Sequence, residues 1–137
     1  MTRGLRNCNP LNIRRVAGTR WKGQAAEQRD KKFVQFKSIE WGIRAAFCIL
    51  ETYRRKYKAV CVEDIINRWA PPSENDTRKY VETVCRLTGF GGKERLEESQ
   101  LPALVYAMAF VECGAPISKE TISKAYSLYV KLKSNSK

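Results

Sequence analysis

The sequence predicts one mainly helical α+β domain, a helical lobe with a small β-hairpin near its N-terminus. Three observations predict it. The chain has 137 residues, 43% of them hydrophobic, enough to bury one core but not two. Apolar residues recur at helical spacing over most of residues 39–133, with proline and glycine punctuating the gaps. Strand-like runs occur only before residue 37, at 12–16 (NIRRV) and 32–36 (KFVQF), joined by a polar stretch containing Gly18 and Gly23.

Each element follows from local chemistry. Ser38 is placed to cap a helix running to about Lys56, with Ile39, Ile43, Ala46, Phe47, Leu50 and Tyr53 on its inner face. A short helix covers 62–69, and WAPPSENDT at 69–77 is a turn because Pro71 and Pro72 cannot continue a helix. Asn75 or Asp76 caps a helix to Thr88, with Tyr80, Val84 and Leu87 inward and Gly89 as its stop. Ser99 is expected to cap a helix to Cys113, with Pro102 in its first turn and Gly114 and Pro116 ending it. Ser118 opens a last amphipathic helix through Lys133, with Ile122, Ala125, Tyr126, Tyr129 and Leu132 inward. GFGG at 89–92 has no strand before it and is a loop, not a phosphate cradle.

Composition narrows the chemistry. The chain contains no histidine, which excludes Ser-His-Asp and Cys-His catalysis, HExxH sites and His-dependent zinc sites. Cys8, Cys48, Cys61, Cys85 and Cys113 form no CxxC pair, so reduced structural thiols are expected, with Cys48 and Cys85 buried in helices. A thiol enzyme using Cys8 or Cys113 would lack an activating histidine. No metal or organic cofactor site is visible. Glycoside hydrolysis, by contrast, needs only carboxylates.

The net charge is +12, of which residues 1–32 carry +7 and residues 118–137 carry +4. Neighbouring chain ends would merge these into one basic face suited to a polyanion: nucleic acid, an anionic membrane surface or an anionic cell-wall polymer. No segment is long and apolar enough for a transmembrane helix. MTRGLRNCNPLN has no apolar core of a signal peptide, so synthesis in the cytoplasm is expected. A monomer is expected.

One residue breaks its local pattern. LPALVYAMAFVEC at 101–113 is the most apolar stretch, with Leu101, Leu104, Val105, Met108 and Val111 inward. Glu112 lies eleven residues after Leu101, about 20° from it around a helix axis. A carboxylate on that face is partly desolvated, which favours its protonated form, as a glycosidase general acid requires. An ordinary glutamate at the helix end, turned to solvent or paired with a Lys or Arg, would be the structural alternative.

RNCNPLNIR (6–14), WKG (21–23), FVQFKSIEWGIRA (33–45) and the later Ala70, Asn75-Asp76-Thr77 and Tyr80 resemble the lysozyme-like superfamily, most closely its bacterial glucosaminidase branch. The run is also similar to a group of small phage and prophage virion-structural or lysis proteins with RNNNPGNIR and RWAPPSENDT signatures, the latter matched at 68–77. In that superfamily the catalytic Glu ends a helix that precedes the Asn-rich β element. Here the corresponding AMAFVECG (107–114) follows it, so the resemblance implies a circularly permuted lysozyme-like domain. Moving 97–117 ahead of residue 6 restores the superfamily order.

The resemblance implies cleavage of the peptidoglycan glycan strand, by hydrolysis or by lytic transglycosylation, with Glu112 as general acid. Asp30 is the first candidate for a second carboxylate and Glu27 the next. Asn7, Asn9 and Asn12 are candidates for binding sugar hydroxyls, although Asx turns around Pro10 account for them equally well. Trp21 and Tyr80 are candidate stacking surfaces or plain core aromatics. Glu74, Asn75 and Asp76 are placed to line the cleft, where Asn75 and Asp76 also suffice as caps. Such an enzyme would reach the bacterial cell wall after lysis, by virion delivery or by secretion. Two other functions fit the sequence: a lysozyme-like virion protein without activity, and a basic nucleic-acid-binding protein, for which no helix-turn-helix, zinc or RNP motif is present.

Overall fold

A computed structural model describes residues 1–135. Its elements are six helices among the described residues: α1 (Arg3–Arg6), α2 (Ile39–Tyr57), α3 (Val62–Trp69), α4 (Thr77–Thr88), α5 (Leu101–Cys113) and α6 (Lys119–Asn135). The mainly helical class expected from the periodicity is the one observed. α5 is apolar all round, with Leu101, Leu104, Val105, Ala107, Met108 and Ala109 fully buried. Such a helix belongs at the centre of a fold, and α1, α2, α4 and α6 all pack against it. Only Val111 of its expected inner stripe is half-buried.

The helix boundaries follow local chemistry with three differences. Asp76 caps α4 by accepting from the Lys79 N–H at 3.2 Å, and Gly89 ends it in a left-handed conformation. Ser118 Oγ accepts from the Thr121 N–H at 3.0 Å at the start of α6, which extends two residues past Lys133. Ser99, however, lies inside a single 3₁₀ turn (98–100), where Gln100 rather than serine satisfies the Glu97 N–H at 2.7 Å. Ser38 precedes α2 without a side-chain cap hydrogen bond. Leu87 is 42% exposed and faces solvent, so α4 contributes Tyr80 and Val84 to the core without it. Cys48 and Cys85 are half-buried, whereas Cys61 and Cys113 are buried.

The expected β-hairpin is reduced to two isolated antiparallel bridges, Arg14 with Phe33 and Gln24 with Phe36. Side chains occupy the backbone groups that a ladder would need. Asn9, fully buried, donates to the carbonyls of Ile13 and Val34 and accepts from the Ile13 N–H, each at 2.9 Å. Gln28 Oε1 takes the Gln35 N–H, and Asp30 Oδ1 takes those of Lys32 and Phe33. The ladder therefore stops after one bridge at each place.

This cross-linked loop is pressed against α2 by close backbone approach. A Cβ on Gly42 would lie 2.2 Å from the Cys8 carbonyl oxygen, and one on Gly23 would lie 2.1 Å from Trp41 Cδ2. The C-terminal basic segment starts soon after the end of α5 and runs along the molecule to its other end. α1 abuts the C-terminal end of α5, where Gly4 approaches Cys113. Lys133 of α6 instead pairs with Glu98, beside the N-terminal end of α5. A length of roughly 20 Å, that of the 13-residue α5, separates them.

Candidate active site

Glu112 sits in the last turn of α5, half-buried, at the wall of a cleft of about 490 Å³. Three elements aim donors at it. Tyr80 of α4 donates its hydroxyl to Oε2 at 3.0 Å, and Trp69 of α3 donates its Nε1–H to the same oxygen at 3.2 Å. Asn12 donates its Nδ2–H to Oε1 at 3.2 Å and to the Glu112 carbonyl at 3.1 Å. Asn12 does so from a left-handed backbone (φ 53°), a conformation that asparagine tolerates better than most residues.

Burial raises the Glu112 pKa above its ordinary value. The three donors and the charge of Arg14 oppose that rise without cancelling it. The C-terminal end of the α5 dipole also disfavours a negative charge there. A carboxylic acid in this setting keeps its proton to a higher pH than a free side chain does. Tyr80 is mostly buried beside it, and burial together with the Glu112 charge pushes its phenol well above the usual range.

The cleft brings together some of the candidates named from the sequence and separates others. Asn12, Trp21 and Asn75 line it with Glu112, and Glu74 stands in its rim. Asp76 caps α4 and borders the neighbouring grooves instead. Tyr80 is no stacking surface, since its ring is buried and only its hydroxyl reaches the carboxylate. Asn7 and Asn9 are buried cross-links of the N-terminal loop, with no face toward the cleft wall.

Asp30 and Glu27 are corrections. Asp30 is held by Arg3 through two bonds of 2.7 and 2.8 Å, by Asn7 at 3.0 Å, and by two backbone N–H groups. Its side chain is 9% exposed and does not line the cleft. Those donors hold its pKa far below the carboxylate range, so it neither accepts a catalytic proton nor has a lone pair left for water. Glu27 is exposed and pairs with Arg29 at 2.7 Å, also outside the cleft.

The carboxylate that does share the cleft with Glu112 is Glu74, whose Oε1 lies 3.8 Å from Arg14 Nη1. Trp69 and Arg14 are the contributors that sequence reasoning passed over. Trp69 ends an amphipathic helix beside two prolines, a position that signals a turn and not a proton-site partner. Among the described residues, no group of three or more Cys, Asp or Glu side chains is arranged to hold a metal ion.

No protein-family model matches the chain. It is 41% identical over 127 residues to Protein P5 of Pseudoalteromonas phage PM2, an alignment spanning 90% of this chain and 79% of that one. The chain belongs to the family of this phage protein. About 14 residues remain outside the match, too few to omit the end of α5. Among the described residues, no helix is long and apolar enough to cross a membrane.

Proposed function

We propose that the protein cleaves the glycan strand of peptidoglycan, with Glu112 as the general acid, and that it does so as a phage or prophage protein. The observation that carries this reading is a carboxyl group fixed by three donors, open to a cleft of ligand size, with its pKa raised by burial. Oε2 accepts from both Trp69 and Tyr80, so the acidic proton resides on Oε1. From there it passes to the glycosidic oxygen as the bond to the sugar breaks.

Glu74 replaces Asp30 as the second carboxylate of the reading. Exposed at the rim and beside Arg14, it either activates water or stabilises the oxocarbenium-like sugar. The phage relative supports the phage or prophage association alone; in this reading the protein reaches the bacterial cell wall after lysis, by virion delivery or by secretion. A permuted lysozyme-like order is supported by one contact. Gly4 lies against Cys113, so that a Cβ added to the glycine would stand 3.5 Å from that of the cysteine. Joining the end of α5 to α1 there would place the Glu112 helix directly before the Asn-rich loop.

The test is digestion of purified peptidoglycan by wild type and Glu112→Gln, with products identified by mass spectrometry. Wild type releases soluble muropeptides and the variant loses at least about a hundredfold of that rate, the usual range for a general acid. Reducing ends mean hydrolysis and anhydro ends mean lytic cleavage. No release by folded wild type overturns the enzymatic reading and leaves a virion protein with an unused cleft.

A further inference from the structure

The cleft does not end at Trp69. Ile49, Tyr53 and Tyr57 recur every fourth residue along one face of α2, and the first two line the cleft. Tyr57 continues that line outward by roughly 6 Å, one helical turn, and is 44% exposed. The rings form a row from the carboxylate outward. Trp69, bonded to Glu112, meets Tyr53 edge-on at 6.5 Å, and Tyr53 meets Tyr57 edge-on at 6.4 Å.

Cations cover the outer end of the row. The Arg68 guanidinium lies 3.4 Å from the Tyr57 ring centroid and 5.6 Å from that of Tyr53, and Lys56 Nζ lies 5.5 Å from Tyr57. Arg55 and Lys58 flank them in sequence, and none of these four cations forms an ion pair with a described acidic residue. The negative end of the α2 dipole accounts for the sign of the charge there. It does not account for two rings held beneath a guanidinium at the mouth of a cleft. A planar cation fixed over an aromatic face presents its N–H fork outward, which is the geometry that takes a carboxylate.

We propose that Arg68 and Lys56, carried on Tyr57 and Tyr53, form a subsite for the carboxylates of the stem peptides that branch from the glycan strand. The inference rests on the glycan-cleaving reading of the cleft and adds what that reading leaves open: which part of the substrate the cleft distinguishes. A strand stripped by an amidase carries only the lactyl carboxylate on every second sugar, held close to the ring, whereas a peptide-bearing strand carries the carboxylates of its stem peptides, which reach further from the glycan. The aromatic row supplies apolar faces for the sugars, and the cations at its end select strands that still bear peptides.

The experiment uses the full chain and two preparations from the same sacculi, strands with stem peptides and strands stripped of them by an amidase. Binding is measured by calorimetry in the non-cleaving Glu112→Gln protein, and cleavage in the otherwise wild-type protein. Arg68→Gln with Lys56→Gln weakens binding to peptide-bearing strands by about tenfold and leaves binding to stripped strands unchanged. Lys119→Gln with Lys124→Gln, of equal charge change on α6, affects neither. Arg68→Lys retains the charge without the planar fork and falls between.

An equal loss on both strands, or none on either, overturns the subsite. Tighter binding of a single-stranded oligonucleotide than of peptide-bearing strands, abolished by the same double substitution, also overturns it and assigns the patch to nucleic acid. If the unsubstituted protein cuts both strands with equal efficiency, the subsite fails while the glycan reading stands. If it neither binds nor cuts either, the glycan reading fails and takes the subsite with it.

Discussion

Glu112 and Asp30 are both half-hidden acids ringed by donors, yet their pKa values move in opposite directions. At Asp30 a guanidinium and backbone N–H groups outweigh desolvation, and the charged form is favoured. At Glu112 desolvation is the largest influence and the protonated form is favoured. Their linkage to stability therefore has opposite signs. Asp30 contributes stability that is present above its ordinary value of 3.8 and is lost as the pH falls below it. Glu112 contributes stability that is full below its ordinary value of 4.5 and is lost as the pH rises through its raised folded value.

Urea unfolding from about pH 3 to pH 8 checks both residues. Asp30→Asn is destabilising by roughly 1.5–3 kcal/mol at neutral pH, since charge-assisted bonds are lost, and the gap closes in acid. Glu112→Gln is at least as stable as wild type at neutral pH and loses that advantage in acid. A Glu112→Gln protein that is much less stable at pH 7 would mark this carboxylate as a structural anion, unfit to deliver a proton.

At the scale of elements, the helices were readable because their boundaries are local. Asp76, Gly89, Pro102, Gly114 and Ser118 each act within a turn of their own position. The phase of Glu112 in an apolar helix was readable for the same reason. The N-terminal loop was not, because Asn9, Gln28 and Asp30 take backbone groups that an alternating pattern assigns to a strand ladder. Nor did any local signal bring Trp69 and Glu74 to the cleft. Their convergence depends on the 70–76 turn folding back, where Thr77 Oγ1 donates to the Ala70 carbonyl.

Gly42 joins these two levels, since it lets α2 touch the loop that carries Asn12. In a helix interior, glycine to alanine ordinarily stabilises by about 1 kcal/mol. Here the added methyl would meet the Cys8 carbonyl, immediately before the Asn9 carbonyl that accepts the Asn12 N–H, so the sign reverses. Gly42→Ala is expected to cost roughly 1–3 kcal/mol in urea unfolding. It also slows muropeptide release by moving Asn12 off Glu112. A stabilised Gly42→Ala protein would mean that loop and helix are not in contact at that point.

At the scale of the whole molecule, the cleft is built from residues 12–112, which makes α6 look like an appendage. Packing says otherwise. α6 lies along α2 and against α5, with Ile122, Ala125 and Tyr129 buried. Phe47, fully buried at the middle of α2, meets Tyr126 edge-on at 5.0 Å and Tyr129 at 5.7 Å. Without α6, Phe47 would face water on the helix that also carries Ile49 and Tyr53 into the cleft, and the burial of Ile122 and Tyr129 would be lost. Each large side chain so exposed forfeits about 1.5–3 kcal/mol, and three or four of them amount to most of the roughly 5–15 kcal/mol that holds a domain folded. A chain ending at residue 117 is therefore expected to lack a cooperative urea transition and to release no muropeptides, although every cleft residue is present. Supplying residues 118–137 as a separate peptide should restore part of the helical circular dichroism if packing alone is missing. A truncated chain that unfolds cooperatively and still cuts glycan would show that α2 and α5 hold the cleft unaided, and that α6 serves some other surface.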